Sequence, residues 1–261
     1  MKRVDGMVYA AEHGERGVGD LFLPEGEAGA PVALCIHSGG WNAMDKRSWE
    51  GVAGWMCRLG YAAFNINYRL LEQACWPACG EDCLRAAAFL LSGEHEAFRG
   101  LDRSGVTVIG GSAGGHLALM TGLRLEAGRV RAIVSVSGPT DLREQFGAQG
   151  MARYPLFFGV GREGTAEMLL EASPVHYVRR GSPALLCVHS VNDRLVDAAQ
   201  ARGIVARYRE VGARAELHAF DGPGEQHGIW IEGSDPHRLF PELEQAIGDF
   251  LGGVDSGSRY K

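Results

Sequence analysis

No stretch of the 261-residue chain approaches the roughly 18 consecutive apolar residues of a membrane span. No block of five basic residues occurs, and acidic residues outnumber basic ones 32 to 26, for a net charge of −6. A nucleic-acid partner or an anionic membrane surface is therefore not expected. The first twenty residues alternate charged and small side chains and lack the apolar centre of a signal peptide, so the default compartment is the cytoplasm. Internal repeats, low-complexity tracts and linkers are missing as well. With 46% hydrophobic and 22% charged residues, the composition is that of a folded globule and not of a disordered or fibrous chain.

Glycine is in excess, at 38 residues. The glycines are scattered between apolar runs, which suits turns and close backbone approaches better than a linker. Short, nearly continuous apolar runs recur at 31–36, 62–66, 106–109, 132–136, 184–188 and 215–220. Such runs predict strands buried on both faces, as in a parallel sheet. Helical spacing lies between them: Trp49, Val52, Ala53 and Met56; Cys83, Ala86, Ala87 and Leu90; Ala201, Ile204, Val205 and Tyr208. Leu243, Ile247 and Phe250 mark a last helix ending at Gly252-Gly253, with His237 read as its start. The alternation predicts an α/β fold with a mostly parallel central sheet and helices on both faces. Segments 7–10 and 18–23 read as an extra hairpin at a sheet edge. One domain, 1–261, is expected. Segment 140–180, which carries Tyr154, Pro155, Phe157 and Phe158, breaks the alternation and reads as an inserted flap of short helices.

The sharpest local pattern is Gly110-Gly111-Ser112-Ala113-Gly114. It follows a strand directly and precedes a helical run, the context that a G-x-S-x-G nucleophile elbow needs. The turn is so tight that residues two before and two after the serine must be tiny, and Gly110 and Gly114 fill those places. A second pattern, His37-Ser38-Gly39-Gly40-Trp41, follows the strand 31–36. Acyl transfer develops an oxyanion that needs donors fixed in advance. The N–H of Ala113 and that of Gly39 or Gly40 are the candidates for an oxyanion hole, with His37 as a structural hydrogen-bonding residue. A nucleophilic serine also needs a base, and the base an orienting acid. Asp193 and His227 both follow predicted strands, at the sheet edge where Ser112 emerges. Asp197 and Asp221 compete for the acid role; Asp197 is placed within the next helix, and Asp221 close to the histidine loop. His189 could also line the site. His13, His95 and His218 read as surface or strand residues.

Taken together, Asp20-Leu21-Phe22-Leu23-Pro24, the loop 37–41, Asn67-Tyr68-Arg69-Leu70, Trp76-Pro77-Ala78 with Asp82, the elbow and its continuation to Ala118, Ser173-Pro174, Asp193 and His227-Gly228 resemble the α/β-hydrolase superfamily. The likeness is to small esterases related to hormone-sensitive lipase and to acetyl-xylan and feruloyl esterases, over nearly the whole chain. It implies a Ser112–His227–Asp193 triad and hydrolysis of short-chain carboxylic esters through an acyl-enzyme. The alternatives are an arylformamidase acting on formylkynurenine and, from another class, a non-catalytic ligand-binding homologue. The family loop usually reads His-Gly-Gly-x-Trp, so Ser38 stands where a glycine is usual. Relatives of hormone-sensitive lipase carry a long N-terminal helical cap for which there is too little sequence before Pro31, which argues against long-chain triglycerides. Trp41, Phe157, Phe158 and Trp230 are the expected substrate-binding residues.

Cys75, Cys79 and Cys83 are spaced by four, but no histidine completes a ligand set. They read as packed or free thiols, and Cys35 and Cys187 as buried ones. No metal and no cofactor are expected. The expected partner is a small-molecule ester, met by a monomer or homodimer.

Overall fold

The computed structural model describes residues 1–26, 29–143, 157–159, 165–221, 227 and 236–258. Eight strands form one sheet in the order β1-β2-β4-β3-β5-β6-β7-β8. They are β1 (Lys2–Val8), β2 (Val18–Leu23), β3 (Pro31–Ile36), β4 (Ala62–Ile66), β5 (Asp102–Gly111), β6 (Val130–Val136), β7 (Ala184–Ser190) and β8 (Ala215–Phe220). β2 runs antiparallel to β1 and β4, and every other neighbouring pair is parallel. The helices are α1 (Glu50–Arg58), α2 (Ala78–Ser92), α3 (Ala113–Arg124), α4 (Ala166–Glu171), α5 (Ala199–Glu210) and α6 (Pro241–Ser258). Among the described residues, no helix is long and apolar enough to cross a membrane.

The period of two in each strand divides the core between two layers. Val32, Leu34 and Ile36 of β3 face a cluster with Ala86 and Leu90 of α2, Leu117 of α3 and Ile204 of α5. Ala33 and Cys35 face the opposite cluster, with Val52 and Met56 of α1 and Leu243 and Ile247 of α6. Both faces are thus covered, which is why the strands read as continuous apolar runs and not as alternating ones.

The sequence expectations meet the structure with differences at element bounds, β6 starting at Val130 and β7 running to Ser190 among them. The expected edge hairpin is present, since β1 pairs antiparallel with β2, but its first strand is Lys2–Val8 where 7–10 was expected, and a 3-10 segment (Ala11–Gly17) connects the two. The β5 strand extends to both sides of 106–109, because β3 and β6 pair it from Asp102 to Gly111. The last helix starts at Pro241, after His237, and runs through Gly252-Gly253 to Ser258. Glycine lowers helix propensity by only about 1 kcal/mol, and the final turn is anchored by the Tyr61 hydroxyl, which donates to Asp255 at 2.7 Å. Asp197 precedes α5, and its carboxylate accepts the Ala199 N–H. Within 140–180, the described residues hold α4 and a 3-10 turn (Pro174–Tyr177); Tyr154 and Pro155 lie outside the described residues.

Chain order reverses at β3, which has β4 on one side and β5 on the other. A crevice at the C-terminal strand ends follows from such a switch point, and the loop 37–41 and the elbow both leave the sheet there. On the same side of the core as α2, Phe64 is fully buried and touches the rings of Tyr9, Phe89 and Phe98. Phe64→Ala should lower unfolding stability by about 3–5 kcal/mol, read from urea denaturation; a loss below 1 kcal/mol would contradict this packing.

Candidate active site

Ser112 sits between β5 and α3 with φ 52° and ψ −118°. This backbone region costs a non-glycine residue about 1–3 kcal/mol and persists only where the surroundings over-determine it. Two backbone bonds hold it: Ser112 N–H donates to Val136 O at 2.7 Å, and Ser112 O accepts His116 N–H at 3.0 Å. The flanking glycines are required by contact. A Cβ on Gly110 would lie 2.2 Å from Gly114 O, and one on Gly114 would lie 2.2 Å from Ile36 O. Gly111 is constrained as well, since its Cβ would meet the Trp49 ring at 2.5 Å.

His227 reaches Ser112 from 115 residues away. Its Nε2 lies 2.6 Å from the serine Oγ, and its Nδ1 lies 2.8 Å from Asp193 Oδ2. A carboxylate only accepts, so Nδ1 carries the proton and Nε2 is free to accept from the serine hydroxyl. Asp193 is held from several sides. Its Oδ1 accepts the N–H groups of Leu195 and Val196, both at 2.9 Å. His189 Nε2 stands 3.5 Å from Oδ2 and donates to Val196 O at 2.8 Å. Burial pushes the Asp193 carboxyl up, but hydrogen bonds from His189 and His227 outweigh it and hold the group well below the usual carboxylate range. Asp221 accepts from the Asn192 side chain at 2.6 Å, tying the loop before Asp193 to the end of β8. The two competing carboxylates thus have other partners.

The loop 37–41 lies against the elbow, for a Cβ on Gly114 would also meet His37 O at 2.5 Å. His37 is fully buried and stacks on Tyr68 at 4.2 Å. Its Nδ1–H donates to Ser38 O at 2.6 Å, and the Tyr68 hydroxyl lies 3.1 Å from His37 O and 3.3 Å from Ser38 O. In a planar trans peptide the carbonyl and the following N–H point in opposite directions. Fixing Ser38 O therefore fixes the Gly39 N–H. Gly39 O accepts from Asn42 N and Ala43 N, which fixes the Gly40 N–H in the same way. Gly39 and Gly40 have φ of 115° and 59°, the left-handed half of the map, whereas Ser38 does not. The serine at the usual glycine position therefore imposes no backbone strain. Its hydroxyl is buried without a hydrogen-bond partner among the described residues and faces Gly111.

Trp41, Phe157 and Phe158 are all buried, and Phe157 meets both of the others, with centroids at 4.9 Å from Trp41 and 4.9 Å from Phe158. Trp230 lies outside the described residues. The sequence reading did not anticipate Tyr68 or the His116 side chain. The signal for Tyr68 was its place directly after β4, the neighbour of β3; that for His116 was its i+4 spacing from Ser112 on one helix. Arg69 grips Asp82 with Nε and Nη2 at 2.7–3.0 Å, tying the end of β4 to α2. The six cysteines form no disulfide, and Cys35, Cys57, Cys79, Cys83 and Cys187 are buried. Among the described residues no group of three or more metal-ligating side chains occurs.

A family model described as BD-FAE matches residues 20–207, well over half of the sequence. The chain belongs to the BD-FAE family. "Probable carboxylic ester hydrolase LipM" of Mycobacterium tuberculosis is 32% identical over 221 residues, covering 78% of this chain and 51% of LipM. "Esterase LipQ" of the same organism is 30% identical over 238 residues, covering 85% and 55%. The BD-FAE chain thus spans about half the length of the curated relatives it matches. A solved truncated carbohydrate esterase from gut microbiota superposes with a TM-score of 0.83 at 21% identity, covering 98% of this chain and 97% of that one. The sheet order and this superposition show the α/β-hydrolase fold.

Burial also pushes the imidazoles of His37 and His116 down to about 4, against hydrogen bonds to Ser38 and Ala172 that raise them. An unfolded histidine takes up its proton near pH 6.5. Between about pH 6.5 and pH 4 the unfolded chain therefore binds protons that the native chain does not, and native stability falls with pH. Each histidine should remove about 2 kcal/mol between pH 7 and pH 5. Guanidinium unfolding at both pH values measures this. His116→Gln, which has nothing to protonate, should make the fall about 2 kcal/mol shallower; an unchanged slope would contradict it.

Proposed function

We propose that the protein is a serine hydrolase that cleaves short-chain carboxylic esters through an acyl-enzyme. The observation that carries this reading is the hydrogen-bonded file Ser112 Oγ, His227 Nε2 and Nδ1, Asp193 Oδ2. The esterase names of LipM and LipQ support it.

Ser112 Oγ attacks the ester carbonyl while its proton passes to His227 Nε2. The carbonyl π pair becomes an oxyanion, received by the N–H of Ala113 and that of Gly39 or Gly40. One such donor is typically worth about 3 kcal/mol in the transition state. Asp193 keeps the Nδ1 proton in place and stabilises the imidazolium without taking its proton. The imidazolium then gives the Nε2 proton to the departing alkoxide, leaving an acyl-serine and a free alcohol. Water, deprotonated by the same nitrogen, repeats the sequence on the acyl-enzyme, releases the acid and restores the hydroxyl. The file needs no metal or organic cofactor to complete this cycle.

Small acyl groups, acetyl above all, fit this reading. Trp41 follows the donor glycines directly and packs on Phe157, which in turn packs on Phe158, and this leaves the wall behind the loop little freedom to admit a long chain. The substrate is a small-molecule ester. The absence of disulfides among the six cysteines suits a reducing compartment, and we assign the enzyme to the cytoplasm, as a monomer or homodimer.

Wild-type protein should hydrolyse p-nitrophenyl acetate faster than the butyrate and decanoate, and a fluorophosphonate should label it at Ser112. Ser112→Ala should abolish labelling and lower kcat at least about a thousandfold. Asp193→Asn should lower kcat about 10³- to 10⁴-fold by favouring the wrong tautomer of the base. Labelling that survives Ser112→Ala would overturn the assignment, and a panel including acetylated xylan and formylkynurenine would show which substrate class is preferred.

A further inference from the structure

One chain of contacts joins the loop, the elbow helix and the segment after β6, and the steps above make no use of it. Trp41 has φ 60°, a left-handed conformation that is uncommon for a bulky residue. Its carbonyl accepts from Leu71 N at 3.0 Å. Its indole Nε1–H donates to His116 Nδ1 at 3.3 Å, and the two rings meet edge to face at 5.4 Å. With Nδ1 accepting, the His116 proton is on Nε2, and that nitrogen donates to Ala172 O at 2.8 Å. Ala172 is the residue after α4. His116 is itself bonded to the elbow, since its backbone N–H donates to Ser112 O. The imidazole is fully buried and both ring nitrogens are used.

Resting on the hydrolase reading above, we propose that His116 is a positioning residue that sets the oxyanion loop against the nucleophile. Its backbone is tied to Ser112 and its side chain to Trp41, the residue next to Gly40. One side chain therefore ties the loop to the elbow beside their backbone contact at Gly114, and the bond to Ala172 fixes that side chain's rotamer and tautomer. Because the donors act on charge present only in the transition state, losing the tie reduces kcat and leaves KM nearly unchanged. Phe157 stacks on Trp76 at 5.2 Å and meets Trp41 at an angle of 61°, and both rings also meet His116, at 6.0 and 5.5 Å, packing on the pair without supplying a side-chain hydrogen bond.

The test is a double-mutant cycle on p-nitrophenyl acetate hydrolysis, with the melting temperature of each variant recorded. Trp41→Phe keeps a ring and removes only the donor, His116→Leu removes the acceptor, and His116→Gln supplies both an acceptor and a donor. Trp41→Phe and His116→Leu should each lower kcat about 10- to 100-fold, with KM within about threefold. The double variant should be no slower than the slower single one. His116→Gln should regain most of the lost kcat. Losses that multiply, a Gln variant no better than Leu, or a folded Trp41→Phe with kcat within threefold of wild type would each overturn the proposal. Should His116→Leu fail to fold, Trp41→Phe and His116→Gln carry the decision. Absence of wild-type turnover on any ester, without fluorophosphonate labelling, would instead overturn the hydrolase reading and this inference with it. Wild-type turnover with unaffected variants overturns this inference alone.

Discussion

At the end of β3 and β5 the backbones come so near one another that only hydrogen atoms fit between them. Gly110, Gly114 and Ile36 approach within distances that any Cβ would violate. This crowding forces Ser112 into its strained conformation, and the Val136 and His116 backbone bonds keep it there. The hydroxyl orientation, the start of α3 and the contact between elbow and loop 37–41 all follow from it. Stability is given up at one residue, and a serine hydroxyl of fixed position is the return.

The loop 37–41 rests on a different device. Its amides are oriented through its own carbonyls. With Ser38 O held by His37 and Tyr68, and Gly39 O by Asn42 and Ala43, each peptide plane has one orientation, so the amide on its other side has one as well. A neutral, buried imidazole suits this task because a protonated one would bring an uncompensated charge into the core. The low proton affinity of His37 is thus part of the scaffold, independent of any proton transfer in the reaction.

Much of this architecture was legible in the sequence. Four of the eight strands, 18–23, 31–36, 62–66 and 215–220, have the expected bounds, because short apolar runs bounded by turns leave little choice of register. The elbow was legible because its steric demand admits so few residue types. The relation of Asp193 and His227 to Ser112 was read from chain order and strand ends, and in the structure the three side chains do form hydrogen bonds with one another. The reading failed where tertiary contacts override local propensity. Gly252-Gly253 did not stop α6, since Tyr61 anchors the turn beyond it. Asp197 was not inside a helix but two residues before α5, where its carboxylate accepts the Ala199 N–H. The roles of Tyr68 and the His116 side chain depend on which elements become neighbours across the sheet, and no local pattern carries that information.

The Asn192 to Asp221 hydrogen bond joins the segments that lead to Asp193 and His227. The Asp193 carboxylate and the His227 imidazole are thus related twice, by their direct 2.8 Å contact and by the tie between the ends of β7 and β8. The Ser112 hydroxyl meets that pair through the 2.6 Å link to Nε2, so the alignment of the whole file rests on where the β5–α3 corner holds one oxygen.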